Sequence, residues 1–284
     1  MYTAPRCLCS LALFLVPFVH AVAQDCAEIA ATWEASKKAY GPDIRNGVGL
    51  LQNHIQSRED IYQQYVRKIW LAEPGADVEK CPDDDPIIFV INHHMDLHQG
   101  KISVKTFWQE WKKREFGPIL FASQAMLGDM IIDDNDLKSA LSNRYCSHPD
   151  LGPRSVCGDC LPWEQFMSRV MAFLSKDDPT SVDILVEMMQ TSDGYAGEGV
   201  WAMLMYIMSK RPEIILAHLD RWEPIKDTFA FLYCGFAFEN EQKAMRAALD
   251  GFADSPEAKR YLTWLDCDQY KREEERRETE REQK

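Results

Sequence analysis

After its first two dozen residues, the 284-residue chain contains no long apolar run. A membrane-spanning helix needs about 20 consecutive apolar residues, so we expect no membrane insertion by this part of the chain. The chain also lacks G-x-S-x-G, a P-loop and a Gly-rich dinucleotide fingerprint. Its serine, histidine and aspartate residues follow no local pattern that joins them. We therefore predict no catalytic residue, and the sequence argues against an enzyme.

Positive charge is in short supply. The chain has 32 Lys and Arg against 45 Asp and Glu, a formal net charge of −13 at pH 7. Nucleic acids are bound by concentrated basic patches, and the sequence has none, so we expect no nucleic-acid partner. A net negative surface is also typical of a protein that stays soluble after export.

The N-terminus predicts a secretory signal peptide. Arg6 precedes an apolar run from Leu11 to Val19, and Ala21-Val22-Ala23 has the small-x-small pattern of a signal peptidase site. The run is too short to cross a membrane as a helix. We expect cleavage after Ala23 and a soluble mature chain in the periplasm or outside the cell.

Seven cysteines remain after that cleavage. They are Cys26, Cys81, Cys146, Cys157, Cys160, Cys234 and Cys267. An exported chain meets an oxidising compartment, so we treat all seven as disulfide candidates. Because seven is odd, at least one is free or pairs between chains, and the spacing does not reveal the pairing.

Three of the seven lie in the loop sequence CSHPDLGPRSVCGDC. A zinc knuckle would use Cys146, His148, Cys157 and Cys160, although this spacing matches no standard finger. A thioredoxin-type redox centre would use Cys157 and Cys160, but loop residues precede them where a strand is needed. We favour a structural disulfide from Cys146 to Cys157 or Cys160, which would stabilise the fold by roughly 3 kcal/mol.

Apolar residues recur at helical spacing along the mature chain, which predicts an all-α fold of packed helical hairpins. The early apolar faces are Ile29 and Trp33; Ile44, Val48, Leu51 and Ile55; and Ile61, Tyr65 and Ile69, beside Tyr62 and Val66. Next, Asp85-Pro86 predicts a helix start, followed by IIFVI, the histidines and Gly100. A strand competes at IIFVI, but no partner strand is visible nearby. A second helix is predicted from about Ser103, with Val104, Phe107, Trp108 and Trp111 on its apolar face.

The C-terminal half continues with short helices joined by tight turns. Residues 179–266 resemble HEAT-like solenoid pairs in general style, without a fixed repeat period, and we do not assign the chain to that family. We divide the chain into a signal peptide (1–23), an N-terminal helical region (24–145), a Cys-rich loop (146–162), a C-terminal helical-hairpin region (163–268) and a charged tail (269–284).

The segment NHHMDLH holds three of the seven histidines. On a helix His94 and His98 share a face, so they are candidate metal ligands, with zinc as the metal. His54, His148 or a carboxylate would complete the site. The segment does not match the zincin motif, in which a catalytic Glu directly follows the first histidine, because Met95 follows His94. The competing interpretation is a pair of amphipathic histidines at a helix end, with no cofactor.

These patterns predict an exported helical protein that binds another protein, as an inhibitor, an immunity-type protein or a scaffold. The prediction rests on the hairpin architecture, the abundant aromatic residues and the lack of a catalytic motif. The alternative function is a metal-dependent enzyme or metal-binding protein that uses His94 and His98.

Overall fold

The computed structural model describes residues 16–45, 47–72, 76, 78–117, 119–145, 162–191 and 194–282. Every regular element within these ranges is a helix, and the ranges contain no β-strand. The all-α prediction is therefore confirmed. Of the helices in this part of the chain, none combines the length and the apolar content needed to cross a bilayer.

The helices follow one another closely along the chain. The α-helices are α1 (Val16–Tyr40), α2 (Val48–Gln56), α3 (Glu59–Trp70), α4 (Pro86–His98), α5 (Val104–Lys113), α6 (Leu120–Ile132), α7 (Asn135–Tyr145), α8 (Pro162–Ala172), α9 (Thr180–Thr191), α10 (Gly194–Lys210), α11 (Pro212–Ala217), α12 (Leu219–Trp222), α13 (Lys226–Phe231), α14 (Glu239–Leu249), α15 (Pro256–Trp264) and α16 (Cys267–Glu282). Gly41–Arg45, Glu223–Ile225 and Asp250–Phe252 are 3₁₀-helical, and Leu232–Phe236 is a π-helix.

The first helix, α1, runs through the expected cleavage point after Ala23. This helix does not test the cleavage, and the signal peptide stays a prediction. Ile29 and Trp33 are buried on α1, as their spacing predicts. Ile44 is also buried, but it belongs to the 3₁₀ turn before α2 and not to the helix that carries Leu51. Gly41 starts that turn with φ +62°, a conformation that glycine adopts without strain.

The segment IIFVI is helical, as predicted, because α4 starts with a strong cap. The side chain of Asp85 accepts hydrogen bonds from the backbone N–H groups of Ile87 at 2.7 Å and Ile88 at 3.4 Å, and Pro86 occupies the first turn. All five apolar residues of IIFVI are fully buried, so the helix is apolar around most of its circumference. Gly100 follows its end with φ +68°.

The helix predicted from about Ser103 is α5. Ser103 caps it by accepting a hydrogen bond from the backbone N–H of Thr106 at 3.1 Å. The predicted apolar face of α5 is buried in full; its members are Val104, Phe107, Trp108 and Trp111. The α4–α5 hairpin is therefore confirmed.

One continuous hydrophobic core runs from Ile29 on α1 to Leu265 after α15. Helices α4, α6, α8 and α9 pack in succession at its centre, while α10, α11 and α14 continue it towards the C-terminus. The HEAT-like arrangement is not confirmed. The segment RPEIILAHLDRW divides at His218 into α11 and α12, which have six and four residues.

Two disulfides fix the two ends of this arrangement. Cys26 on α1 pairs with Cys81, five residues before α4, across 55 residues of sequence. Cys234 in the π-helix pairs with Cys267 at the start of α16, across 33 residues. The described part of the charged tail (269–282) therefore belongs to α16, which is tied to the body at its first residue, Cys267. Further along α16, Arg277 donates a 2.6 Å hydrogen bond to Asp227.

Candidate functional site

The histidine-rich segment forms the second half of α4. His94 is fully buried, and its ring centroid lies 5.3 Å from that of Phe107 and 6.0 Å from that of Phe166. His93 stacks on Phe89 with 3.9 Å between ring centroids. Burial lowers the pKa of His93 below its usual value.

The candidate zinc pair, His94 and His98, stays a prediction. The His98 side chain and residue His148 lie outside the described part of the molecule. Among the side chains that the structure describes, no three His, Cys, Asp or Glu residues are grouped as a metal site would require. His54, a candidate third ligand, instead contacts Ser36, Tyr62 and Asp85.

Four buried side chains meet at His54, and we call them the His54 cluster. Ser36 Oγ on α1 lies 2.7 Å from Nδ1 of His54 on α2. The other ring nitrogen, Nε2, lies 3.0 Å from Oδ2 of Asp85. Tyr62 on α3 donates its hydroxyl hydrogen to the same Oδ2, and its oxygen lies 2.6 Å from Nε2. No member exposes more than 8% of its surface.

The helix cap of α4 places the acid of the cluster. Asp85 uses Oδ1 to accept backbone N–H groups of α4, which leaves Oδ2 for His54 and Tyr62. The Cys26–Cys81 disulfide holds α1 against the segment just before this cap. Because α1, α2, α3 and the start of α4 each supply one side chain, the cluster joins all four.

The hydrogen bonds assign the His54 tautomer. A proton on Nε2 is donated to Asp85, so Nδ1 is left to accept the hydrogen of the Ser36 hydroxyl. Burial and the neighbouring Asp85 carboxylate raise the pKa of Tyr62 well above its usual value. Tyr62 thus keeps its proton and donates it to the carboxylate. An activated nucleophile consists of a hydroxyl, an imidazole base and an acid that orients the base, linked by hydrogen bonds in that order.

No local sequence pattern marks this cluster, and the structure brings the three residue types together only through tertiary packing. Ser36, His54 and Asp85 are separated by 18 and 31 residues, so only the packing of separate helices unites them. The one available signal was Asp85, which the sequence identifies as a helix cap whose second oxygen needs a partner.

Ser36 also lines a shallow groove on the outside of α1, which we call the α1 groove. Its volume is about 450 Å³. The groove is lined by Glu28, Ala31, Thr32, Ala35, Ser36, Ala39, Tyr40, Ser57 and Arg58. Arg58 carries the one positive charge among these lining residues, and Glu28 accepts a hydrogen bond from it.

A second feature lies in the C-terminal half of the chain, where aromatic side chains reach the surface. The ring centroid of Trp201 on α10 lies 5.2 Å from that of Phe231 and 5.8 Å from that of Phe236. Phe236 is 52% exposed, and Phe238, two residues later, is 76% exposed. We call these four residues the aromatic edge.

The backbone that carries the aromatic edge is firmly held. The π-helix contains Cys234, whose disulfide ties it to α16. Gln242 donates a 2.7 Å hydrogen bond to the carbonyl oxygen of Tyr233. The carboxylate of Glu241 accepts the backbone N–H of Phe238 at 2.8 Å. The exposed rings therefore stand on a fixed turn.

Four of the seven candidate cysteines form the two disulfides already described. The remaining three, Cys146, Cys157 and Cys160, lie outside the described residues. The structural disulfide, the zinc knuckle and the redox centre therefore stay as alternative predictions for that loop, with the disulfide favoured.

These features define the chain as an all-α protein whose described residues hold two disulfides, a buried Ser–His–Asp cluster and an exposed aromatic edge. No protein family, curated protein or solved structure matches the chain.

Proposed function

We propose that the protein is exported and acts by binding a partner protein through the aromatic edge. It would serve as an inhibitor, an immunity-type protein or a scaffold. The observation that carries the proposal is the exposure of Phe236 and Phe238, two residues apart on a turn fixed by a disulfide. Two disulfides also fit a compartment that favours oxidised thiols.

Exposed aromatic side chains on a rigid support suit an interface. They bury a large area in a partner and lose few rotatable bonds in doing so. Aromatic residues are enriched among the few interface residues that carry most of the binding energy. Because the supporting turn is already ordered, binding would cost little further backbone entropy.

The charge of the chain indicates what kind of partner fits. The chain carries −13 overall, and two carboxylates, Glu239 and Glu241, lie in the first turn of the helix that follows the aromatic edge. Glu239 is largely exposed in the first turn of α14. A partner with a basic face around an apolar recess would match both the aromatic rings and the negative surroundings.

Site-specific photo-crosslinking in the native host tests the proposal. A photoreactive amino acid replaces Phe238 in one variant and Phe252 in the control. Phe252 is also an exposed aromatic residue, but it lies beyond the far end of α14, roughly 16 Å along the helix axis. We expect a protein adduct from position 238 and none from position 252. The adduct should carry a basic protein, and its yield should fall as salt concentration rises.

The double variant Phe236→Ala/Phe238→Ala then measures the contribution of the edge. Its affinity for the crosslinked protein should fall by a factor on the order of 30 or more, since removal of a hot-spot side chain costs about 2 kcal/mol or more. Adducts of equal yield from positions 238 and 252, or no adduct at 238, would refute the aromatic edge as the binding surface.

A further inference from the structure

We infer that Ser36 is a nucleophile, with His54 as its general base and Asp85 as the acid that orients the base. The substrate class would be carboxylic esters with a small apolar acyl group, bound in the α1 groove. This inference is independent of the aromatic edge. It rests on the hydrogen bonds of the His54 cluster and on the position of Ser36 between that cluster and the groove.

The distances are those needed for proton transfer. Ser36 Oγ and His54 Nδ1 are 2.7 Å apart, within the range in which a base can remove a hydroxyl proton. His54 Nε2 donates to Asp85 at 3.0 Å, which holds the ring in the tautomer whose Nδ1 is free to accept. His54 and Asp85 are buried, so water does not compete for these bonds.

A purely structural role explains less of the arrangement. A hydroxyl that served only to satisfy a buried histidine could lie anywhere in the core, but Ser36 also borders the α1 groove. The groove thus gives a substrate access to the serine and keeps the imidazole and carboxylate behind it. The side chains of Ala31, Ala35 and Ala39 line the same groove, leaving room for an acyl chain along α1.

The reaction balances with water as the co-substrate. Ser36 Oγ bonds to the ester carbonyl carbon while its proton passes to His54 Nδ1. The carbon–oxygen bond to the alcohol breaks, and the alcohol leaves with that proton. Water then attacks the acyl-serine through the same base, releasing the carboxylic acid and restoring the Ser36 hydroxyl. Arg58 is the one cation among the residues that line the groove, and it would have to leave its ion pair with Glu28 to meet the oxyanion formed at each attack.

A fluorophosphonate probe tests the nucleophile directly. Its phosphorus takes the place of the carbonyl carbon: the Ser36 Oγ–P bond forms, fluoride leaves, and the proton passes to His54. The full mature protein, with both disulfides intact, is incubated with the probe and analysed by intact mass and peptide mapping. We expect one phosphonyl group per chain, on the peptide that contains Ser36.

Two serine variants provide the matched comparison. Ser36→Ala should lose the label and should reduce hydrolysis of p-nitrophenyl butyrate to the background rate. Ser209→Ala removes a hydroxyl on α10 that donates a 2.9 Å hydrogen bond to the Met205 carbonyl oxygen and belongs to neither the groove lining nor the His54 cluster. Its labelling rate should stay within about twofold of the wild-type rate, because catalysis does not pass through that hydroxyl.

Other results would overturn the inference without depending on how a variant folds. If the folded wild-type protein, checked by circular dichroism, takes up no label, Ser36 is not an activated nucleophile. The same conclusion follows if the label maps to another residue. Failure here would leave the proposed binding function untouched, since Phe236→Ala/Phe238→Ala should label at the wild-type rate.

Discussion

Asp85 uses its two carboxylate oxygens for two different tasks. Oδ1 caps α4, and Oδ2 accepts hydrogen bonds from His54 and Tyr62. Its loss would therefore expose the end of a helix and leave two buried donors without an acceptor. Buried donors without partners are among the most destabilising changes that a single substitution produces.

Replacing Asp85 with Ala should lower the free energy of unfolding by about 3 kcal/mol, combining a lost helix cap with the unsatisfied donors. Asp84→Ala is the control, because the neighbouring Asp84 is exposed. Urea denaturation followed by circular dichroism measures both variants. Equal effects from the two substitutions would mean that Asp85 does not hold the cluster together.

Asp178, just before α9, gives the fold a dependence on pH. Lys105 on α5 donates to its Oδ2 at 2.6 Å, and the hydroxyl and backbone N–H of Thr180 donate to its Oδ1. The hydrogen bond from Lys105 and those from Thr180 lower the pKa of Asp178 to about 2. The folded state thus favours the charged carboxylate more than the unfolded state does.

Asp178→Asn should therefore destabilise the protein by about 1 kcal/mol or less at pH 7, since the ion pair is partly exposed to solvent. The lowered pKa stabilises the folded state fully when the pH is above about 3.9, the pKa of an aspartate in the unfolded state. This stabilisation is lost as the pH falls through the pKa of Asp178 in the folded state. The deficit of the variant should shrink between about pH 4 and pH 2. Urea titrations at several pH values measure it, and the exposed neighbour Asp177→Asn should show no such trend. A deficit that is constant with pH would contradict this origin.

At the scale of helices, the Cys26–Cys81 disulfide controls how α1 is held against the body. It closes 55 residues, so its removal as Cys26→Ser/Cys81→Ser should cost about 4 kcal/mol in the chain-entropy model. Amide hydrogen exchange should accelerate most in α1 and α2. Cys234→Ser/Cys267→Ser is the matched comparison and should accelerate exchange in α13 and α16. A uniform increase throughout the molecule would show that α1 does not open as a local unit.

The sequence was most informative where one element carries its own signal. Asp85-Pro86 and Ser103 mark the starts of α4 and α5, and the apolar face of α5 is buried as its spacing predicts. Helix breaks such as the one at His218 carry no sequence signal, because no proline or glycine marks them. The His54 cluster was missed for a related reason: its members lie on different helices, and their approach depends on tertiary packing.

For the molecule as a whole, the two observed disulfides limit the pairings that are open to the other cysteines. Of the seven cysteines expected to remain after the predicted cleavage at Ala23, four pair with one another, which leaves Cys146, Cys157 and Cys160. The favoured disulfide from Cys146 to one of its neighbours would leave one thiol per chain. Alkylation of the unreduced, cleaved protein in denaturant should therefore add one label per chain. Alkylation after full reduction should add seven.

Two other results would point to the competing interpretations of that loop. Three alkylated thiols together with one equivalent of zinc would support the knuckle. A Cys157–Cys160 disulfide that opens and closes with mild reductant would support the redox centre. Peptide mapping without reduction distinguishes both from the favoured pairing.

If the chain is exported as proposed, the order of its cysteines also affects how the disulfides form. No cysteine separates Cys26 from Cys81, so a chain that emerges N-terminus first needs only an oxidase to form this bond. When Cys234 emerges, an unpaired thiol from residues 146–160 would already be waiting and could capture it before Cys267 arrives. We therefore expect Cys234–Cys267, but not Cys26–Cys81, to depend on a disulfide isomerase. Peptide mapping of protein from an isomerase-deficient host would show whether the two bonds differ in this way.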